Sequence, residues 1–274
     1  MLDAAPRKKL VEVDNLKMHF PIHGGILRRQ IGAVKAVDGV TFDIFEGETL
    51  GLVGESGCGK STCGRAILRL YELTDGTVKI DGANIADASA EELRRLRPAM
   101  QMVFQDPLAC LNPALSVADA IADPLLIHGL ASRAAARERA RELLELVGLS
   151  PADHFQNRLP KQLSGGQQQR VAIARALALR PQVLICDESV SMLDAEIQAE
   201  VLALLRGLQQ DLGLAMIFVT HDLSVASGFC HRVIVLDRGR VVEEGPGDQL
   251  LRTPEAAITR TLVEACPRLP IATP

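Results

Sequence analysis

Gly54-Glu-Ser-Gly-Cys-Gly59-Lys60-Ser61 sets two glycines apart and follows the second with a lysine and a hydroxyl residue. That spacing suits wrapping backbone N–H groups around phosphate oxygens. Gly54, Ser56, Gly57, Cys58 and Gly59 are small enough for the chain to curl tightly. A helix opening at Lys60 adds free N–H donors and the positive end of its dipole. Lys60 brings a point charge to the β- and γ-phosphates of a nucleotide. The Ser61 hydroxyl can ligate Mg²⁺, and Thr62 can bond a phosphate oxygen. A glycine-rich turn would match this pattern by chance in roughly one chain in a hundred of this length. Cys58 has two readings: a thiolate favoured by the helix N-terminus and Lys60, or a small buried filler.

A second constellation ends an apolar run. Val183-Leu-Ile-Cys-Asp187-Glu188 places one acid at the end of a buried strand and another just beyond it. Asp187 can hold Mg²⁺, directly or through water. Glu188 is placed to polarise a water against a γ-phosphate. Two acids at a strand end are more often a solvated turn, but the phosphate loop reverses that preference.

The elements that must position these groups read as α/β. Residues 48–53 form a strand, then the glycine loop, then a helix from Lys60 to about Leu70. Residues 11–20 and 33–46 alternate as strands around the turn-rich insertion PIHGGILRRQIG. Residues 77–82 read as a strand and turn, Ser89 caps a helix to Arg97, and 100–104 is a short strand. The segment 107–175 reads as mainly helical. Within it Leu143, Leu144, Leu146 and Val147 share one helical face, and Gly148 stops the helix. Continuous apolar runs at 183–187 and 215–220 suit strands buried on both faces. A hairpin turns at Arg238-Gly239, and a helical tail runs over 247–266.

Composition narrows the partners. Hydrophobic residues are 47% and charged residues 23%, which excludes disordered and fibrous classes. With 30 basic against 34 acidic residues, the net charge of −4 gives no drive toward nucleic acid. Aromatics are 3%, with no tryptophan and one tyrosine, too few for a base-stacking surface. No apolar run is long enough for a membrane helix, and the start, with Asp3, Arg7, Lys8 and Lys9, does not read as a signal peptide. None of the six cysteines forms a C-x-x-C pair, so free thiols in a reducing compartment are expected.

Leu163-Ser164-Gly165-Gly166-Gln167 then decides among phosphate-loop proteins. It lies inside the helical segment, and its helix start makes a second anion site. With it the chain resembles ABC-type ATPase subunits over about residues 10 to 250. Gln105 in VFQDP matches the family's glutamine that links Mg²⁺ and attacking water. Asp194 in Ser191-Met-Leu-Asp194 matches its D-loop, and His221 in FVTHDL its switch histidine. Phe20 matches the aromatic that stacks on adenine; a core phenylalanine fits its position nearly as well.

The resemblance implies a P-loop NTPase (RecA-like) core with an N-terminal antiparallel β subdomain and an inserted α-helical subdomain. The whole chain would be one ATPase domain: a core at 10–106 and 176–250, helical 107–175, and a tail at 251–274. ATP and Mg²⁺ are its implied cofactors. Glu188 would be the general base, Lys60 and Mg²⁺ would neutralise the phosphates, and Gln105 and His221 would hold γ-phosphate and water. Ser61, Gln105 and Asp187 are the implied metal ligands. Two subunits would sandwich ATP head to tail, each offering Ser164, Gly165, Gly166 and Gln167 to the other's nucleotide.

The nearest resemblance is to the oligopeptide, dipeptide and nickel importer group, carried by PIHGGILRRQIGAVKAVDGV, QMVFQDPLACLNP and GRVVEEGP. It implies two membrane permease subunits, a second ATPase subunit, an extracytoplasmic solute-binding protein acting indirectly, and a peripheral place on the cytoplasmic face of the membrane. Peptides are the first expectation for cargo. Nickel or another small solute, or a soluble role in cofactor assembly, are the alternatives. The chain departs from the group at Ser189, Met192 and Ala114, where proline, alanine and arginine are usual.

Overall fold

The computed structural model describes residues 7–24 and 29–266. In chain order the elements are β1 (Lys9–Gly24), β2 (Arg29–Phe45), β3 (Thr49–Val53), α1 (Lys60–Ile67), β4 (Asp75–Ile80) and β5 (Ala83–Asn84). There follow α2 (Ala90–Leu96), β6 (Met100–Val103), α3 (Pro107–Cys110), α4 (Val117–Ile127), α5 (Arg133–Leu146), α6 (Gly165–Leu177), β7 (Val183–Asp187) and α7 (Ala195–Leu212). The last are β8 (Ala215–Thr220), α8 (Leu223–Phe229), β9 (Arg232–Asp237), β10 (Arg240–Gly245), α9 (Gly247–Arg252) and α10 (Ala257–Ala265). The chain divides into two compact units, one made of the segments before Ala90 and after Leu214, the other of Ala90–Leu214.

In the first unit β3 lies between β9 and β8, parallel to both, and β10 pairs antiparallel with β9. Every residue of β3 and β8 is buried, as expected for parallel strands covered on both faces. A separate antiparallel sheet has the order β2-β1-β4-β5. Its two long strands alternate less regularly than a simple hairpin, because the pairing shifts at several bulges, one between Met18 and His19. The tail belongs to this unit. Leu250 and Leu262 join Val53, Leu223, Ala226, Val233 and Val235 in one apolar cluster. The tail is two helices rather than one continuous pattern: Thr253, before Pro254, leaves the helical region at φ −135°, as proline demands of the residue it follows.

In the second unit β6 and β7 run parallel, with Val103 opposite Cys186. Side-chain caps start its helices: Ser116 on α4, Ser132 on α5, Ser164 on α6 and Asp194 on α7. The α5 stripe follows expectation at Leu143, Leu144 and Val147, all buried, but Leu146 is 42% exposed. Leu146 extends the apolar run past the angular width of the face that packs. Gly148 closes the helix at φ +75°.

Candidate functional site

The phosphate loop joins the buried end of β3 to α1. Gly59 caps α1 with no side-chain bond, so the first N–H groups of the helix are not taken up by a cap, unlike those of α6 or α7. Its φ is +108°, and a Cβ there would sit 2.0 Å from the Ala36 carbonyl oxygen; only glycine fits. Lys60 is 4% exposed. Its Nζ donates to the carbonyls of Gly54 (2.8 Å) and Glu55 (2.9 Å), so the charge is held inside the loop's curve. Ser61 and Thr62 follow, half-buried, in the first helical turn. The Cys58 amide donates to Glu55 O at 3.2 Å. Its thiol is buried, and burial pushes its pKa up, outweighing the pull of Lys60. Of the two sequence readings of Cys58, its burial favours the small buried filler.

The same unit places His221 and Phe20. Thr220 ends β8 opposite Val53, so His221 leaves its strand level with Gly54. Asp222 then turns the chain into α8, accepting from the Ser224 and Val225 amides. Phe20 sits one residue past a bulge and opposite Val34 on β2. Two residues further along β2 is Ala36, the residue pressed on Gly59. Phe20 therefore lies about 7 Å, measured along the strand direction, from the level of Ala36, and it is half-buried.

The second unit gathers the remaining groups. Gln105 and Glu188 each follow the end of a parallel strand, and Gln105 Nε2 donates to Glu188 Oε2 at 3.2 Å. Asp187 is 1% exposed at the end of β7. Glu188 stands in the left-handed region at φ +46°, strained for a residue with a side chain. Its carbonyl accepts from both the amide (3.1 Å) and the hydroxyl (2.9 Å) of Ser191, which hold the turn. This role of Ser191 is absent from the sequence reading, since spacing does not reveal a strained φ. Ser164 accepts from the Gln167 amide at 3.4 Å while Gln167 Oε1 accepts from the Ser164 amide at 3.1 Å, a reciprocal capping box. A Cβ on Gly166 would meet Ile197 Cγ2 at 2.5 Å, so the starts of α6 and α7 lie side by side. Asp194 caps α7 through the Ile197 amide at 3.0 Å. Ser164, Gly165, Met192 and Asp194 are all exposed.

A strand-loop-helix phosphate cradle, an acid pair after a buried strand and a serine-capped Ser-Gly-Gly helix start define a nucleoside triphosphatase of the cassette class. The sequence model of the ABC transporter family matches residues 37–191, and the chain belongs to that family. It is 49% identical over 262 residues to the oligopeptide transport ATP-binding protein OppF of Bacillus subtilis, covering 95% of this chain and 83% of that one. It is 46% identical over 263 residues to the glutathione import ATP-binding protein GsiA of Pectobacterium atrosepticum, covering 96% of this chain but only 42% of that longer protein. Among solved structures it resembles the dimeric cassette MJ0796 bound to ADP and Pi, with a TM-score of 0.75, 34% identity and coverage of 86% and 98%. It likewise resembles cbiO1 of Clostridium perfringens, with a TM-score of 0.76, 28% identity and coverage of 89% and 91%. The fold is the P-loop NTPase core with an antiparallel β subdomain and a helical insertion.

Proposed function

We propose that this chain is the ATP-hydrolysing subunit of a peptide importer. The relatives named for oligopeptide and glutathione import support that cargo class. The phosphate loop and Lys60 hold the triphosphate. Ser61, Gln105 and Asp187 offer a hydroxyl, an amide and a carboxylate, hard oxygen donors that suit Mg²⁺. The metal, when bound, neutralises phosphate charge. Glu188 takes the proton of the attacking water, and Gln105, bonded to it, orients that carboxylate. His221 holds the γ-phosphate from the end of β8. Catalysis is mainly positioning and charge stabilisation.

The observation that carries this reading is the Gln105–Glu188 contact beside the buried Asp187. Ser164 and Asp194 stand on exposed helix starts, which suits a partner cassette, self or paralogue, closing over the nucleotide. Leu108 (46%) on α3, and Leu126 (38%), Ile127 (57%) and Leu130 (58%) at or just past the end of α4, expose apolar surface in the second unit. That surface suits a permease subunit on the cytoplasmic face of the membrane. No helix among the described residues is long and apolar enough to cross a membrane.

Glu188→Gln tests the assignment. The amide keeps the shape and removes the base, so hydrolysis should fall about 10²- to 10⁴-fold while ATP binding persists. Phosphate release is measured beside size-exclusion with Mg-ATP, where a trapped dimer is expected. Turnover near wild type overturns the base assignment.

A further inference from the structure

Phe20 meets another ring edge-on. Tyr71, the one tyrosine of a chain without tryptophan, lies with its centroid 5.6 Å from that of Phe20 and the planes at 86°. Such a T-shaped pair fixes ring orientation through the aromatic quadrupoles. Whichever ring gives its edge, at least one face of Phe20 is left uncovered by Tyr71.

The segment that carries Tyr71 is bonded to β1 on either side of Phe20's bulge. Thr74 donates its amide to the Lys17 carbonyl at 2.9 Å, and its hydroxyl accepts from the His19 amide at 2.8 Å. Lys17 Nζ pairs with Asp75 at 2.8 Å. On the other side Arg69, held left-handed at φ +54°, donates Nε to Ala86 O at 3.0 Å and Nη1 to Tyr71 O at 3.4 Å. These bonds converge on one relation, the place of Tyr71 against Phe20.

We propose that Tyr71 is a positioning residue for nucleobase recognition: it holds the Phe20 ring in the orientation that stacks on adenine. The proposal rests on the reading of Phe20 as the adenine-stacking aromatic. It separates two tasks. The phosphate loop binds the triphosphate without Tyr71, and the Phe20–Tyr71 pair adds the preference for a nucleotide that carries its base.

The chain supplies its own probe, because Tyr71 emission has no other tyrosine or tryptophan to compete with it. Mg-ATP titrated into the full chain should change that emission and saturate, whereas inorganic tripolyphosphate with Mg²⁺ should bind without the change. Tyr71→Leu should raise the KM and Kd for ATP about 2- to 10-fold, leaving kcat at saturating ATP and tripolyphosphate affinity unchanged. Tyr71→Phe should restore wild-type ATP affinity. If Tyr71→Leu binds ATP as wild type does while Phe20→Ala binds it weakly, Tyr71 has no positioning role. If Tyr71→Leu loses tripolyphosphate affinity as well, its role is general support of the fold, and the proposal also fails. If Phe20→Ala leaves ATP affinity unchanged, the stacking reading of Phe20 is what fails, and the proposal falls with it.

Discussion

Replacing Gly59 by alanine should damage the protein more than the same change two residues earlier, and the structure says by how much. Both glycines have positive φ, +83° at Gly57 and +108° at Gly59. Forcing a side chain into such a conformation costs about 1–3 kcal/mol. At Gly57 nothing lies within 4 Å of the new Cβ, so that strain is the whole effect. At Gly59 the Cβ would stand 2.0 Å from Ala36 O and 3.2 Å from its carbon, where ordinary contact begins at 3.4 Å. These are backbone atoms and cannot rotate aside. For β2 to retreat, it must pull on the bonds that knit it to the loop: Asp38 N to Gly239 O and Gly239 N to Cys58 O, both 2.8 Å. Overpacking of this kind adds about 1–3 kcal/mol. The second term alone separates the two variants. Urea unfolding of both, without nucleotide, measures it: at a slope of about 3 kcal/mol/M, a 2 kcal/mol gap moves the midpoint by roughly 0.7 M. Equal midpoints for Gly57→Ala and Gly59→Ala would refute the claim that β2 closes against the loop.

Three further outcomes are expected. Ser164→Arg should leave ATP affinity of the isolated chain intact and abolish turnover of the assembled pair, because the bulky cation stands on the exposed helix start; weakened affinity in the isolated chain would place Ser164 in its own nucleotide site. Asp38 accepts from Arg240 Nη2 at 2.7 Å and pairs with His19 at 2.9 Å, and chiefly the Arg240 bond lowers its pKa from 3.8 to about 2. A carboxyl depressed on folding adds stability above its unfolded pKa and loses it as pH falls from about 4 to 2, so Asp38→Asn should flatten that acid limb of the unfolding curve; an unchanged limb counts against the pairing. Burial pushes the thiols of Cys63 and Cys186 up to about 12, so mass-spectrometric mapping should find neither modified by maleimide until the chain unfolds, and rapid native labelling of Cys186 would contradict the buried place of β7.

Much of the site is local chemistry, which a sequence carries openly. The phosphate loop is eight consecutive residues, and its demand for small residues before a helix start does not depend on distant neighbours. The strands β7 and β8 are unbroken apolar runs ended by polar residues, and their full burial was readable for that reason. The Ser164 cap likewise follows from a serine three residues before a glutamine at a helix start. Tertiary structure decided the rest, because burial and strain come from what the topology brings alongside. Leu146 lies on an apolar run, yet faces out. Cys58 in the sequence suits a thiolate beside Lys60 as well as a buried filler, and it is burial beside Gly54 that pushes its thiol up. The left-handed Glu188 is set by a turn that Ser191 closes, which no residue type announces. Phe20 and Tyr71 are far apart in the chain, and it is the tertiary bonds, among them those between β1 and Thr74 and Asp75, that bring them together.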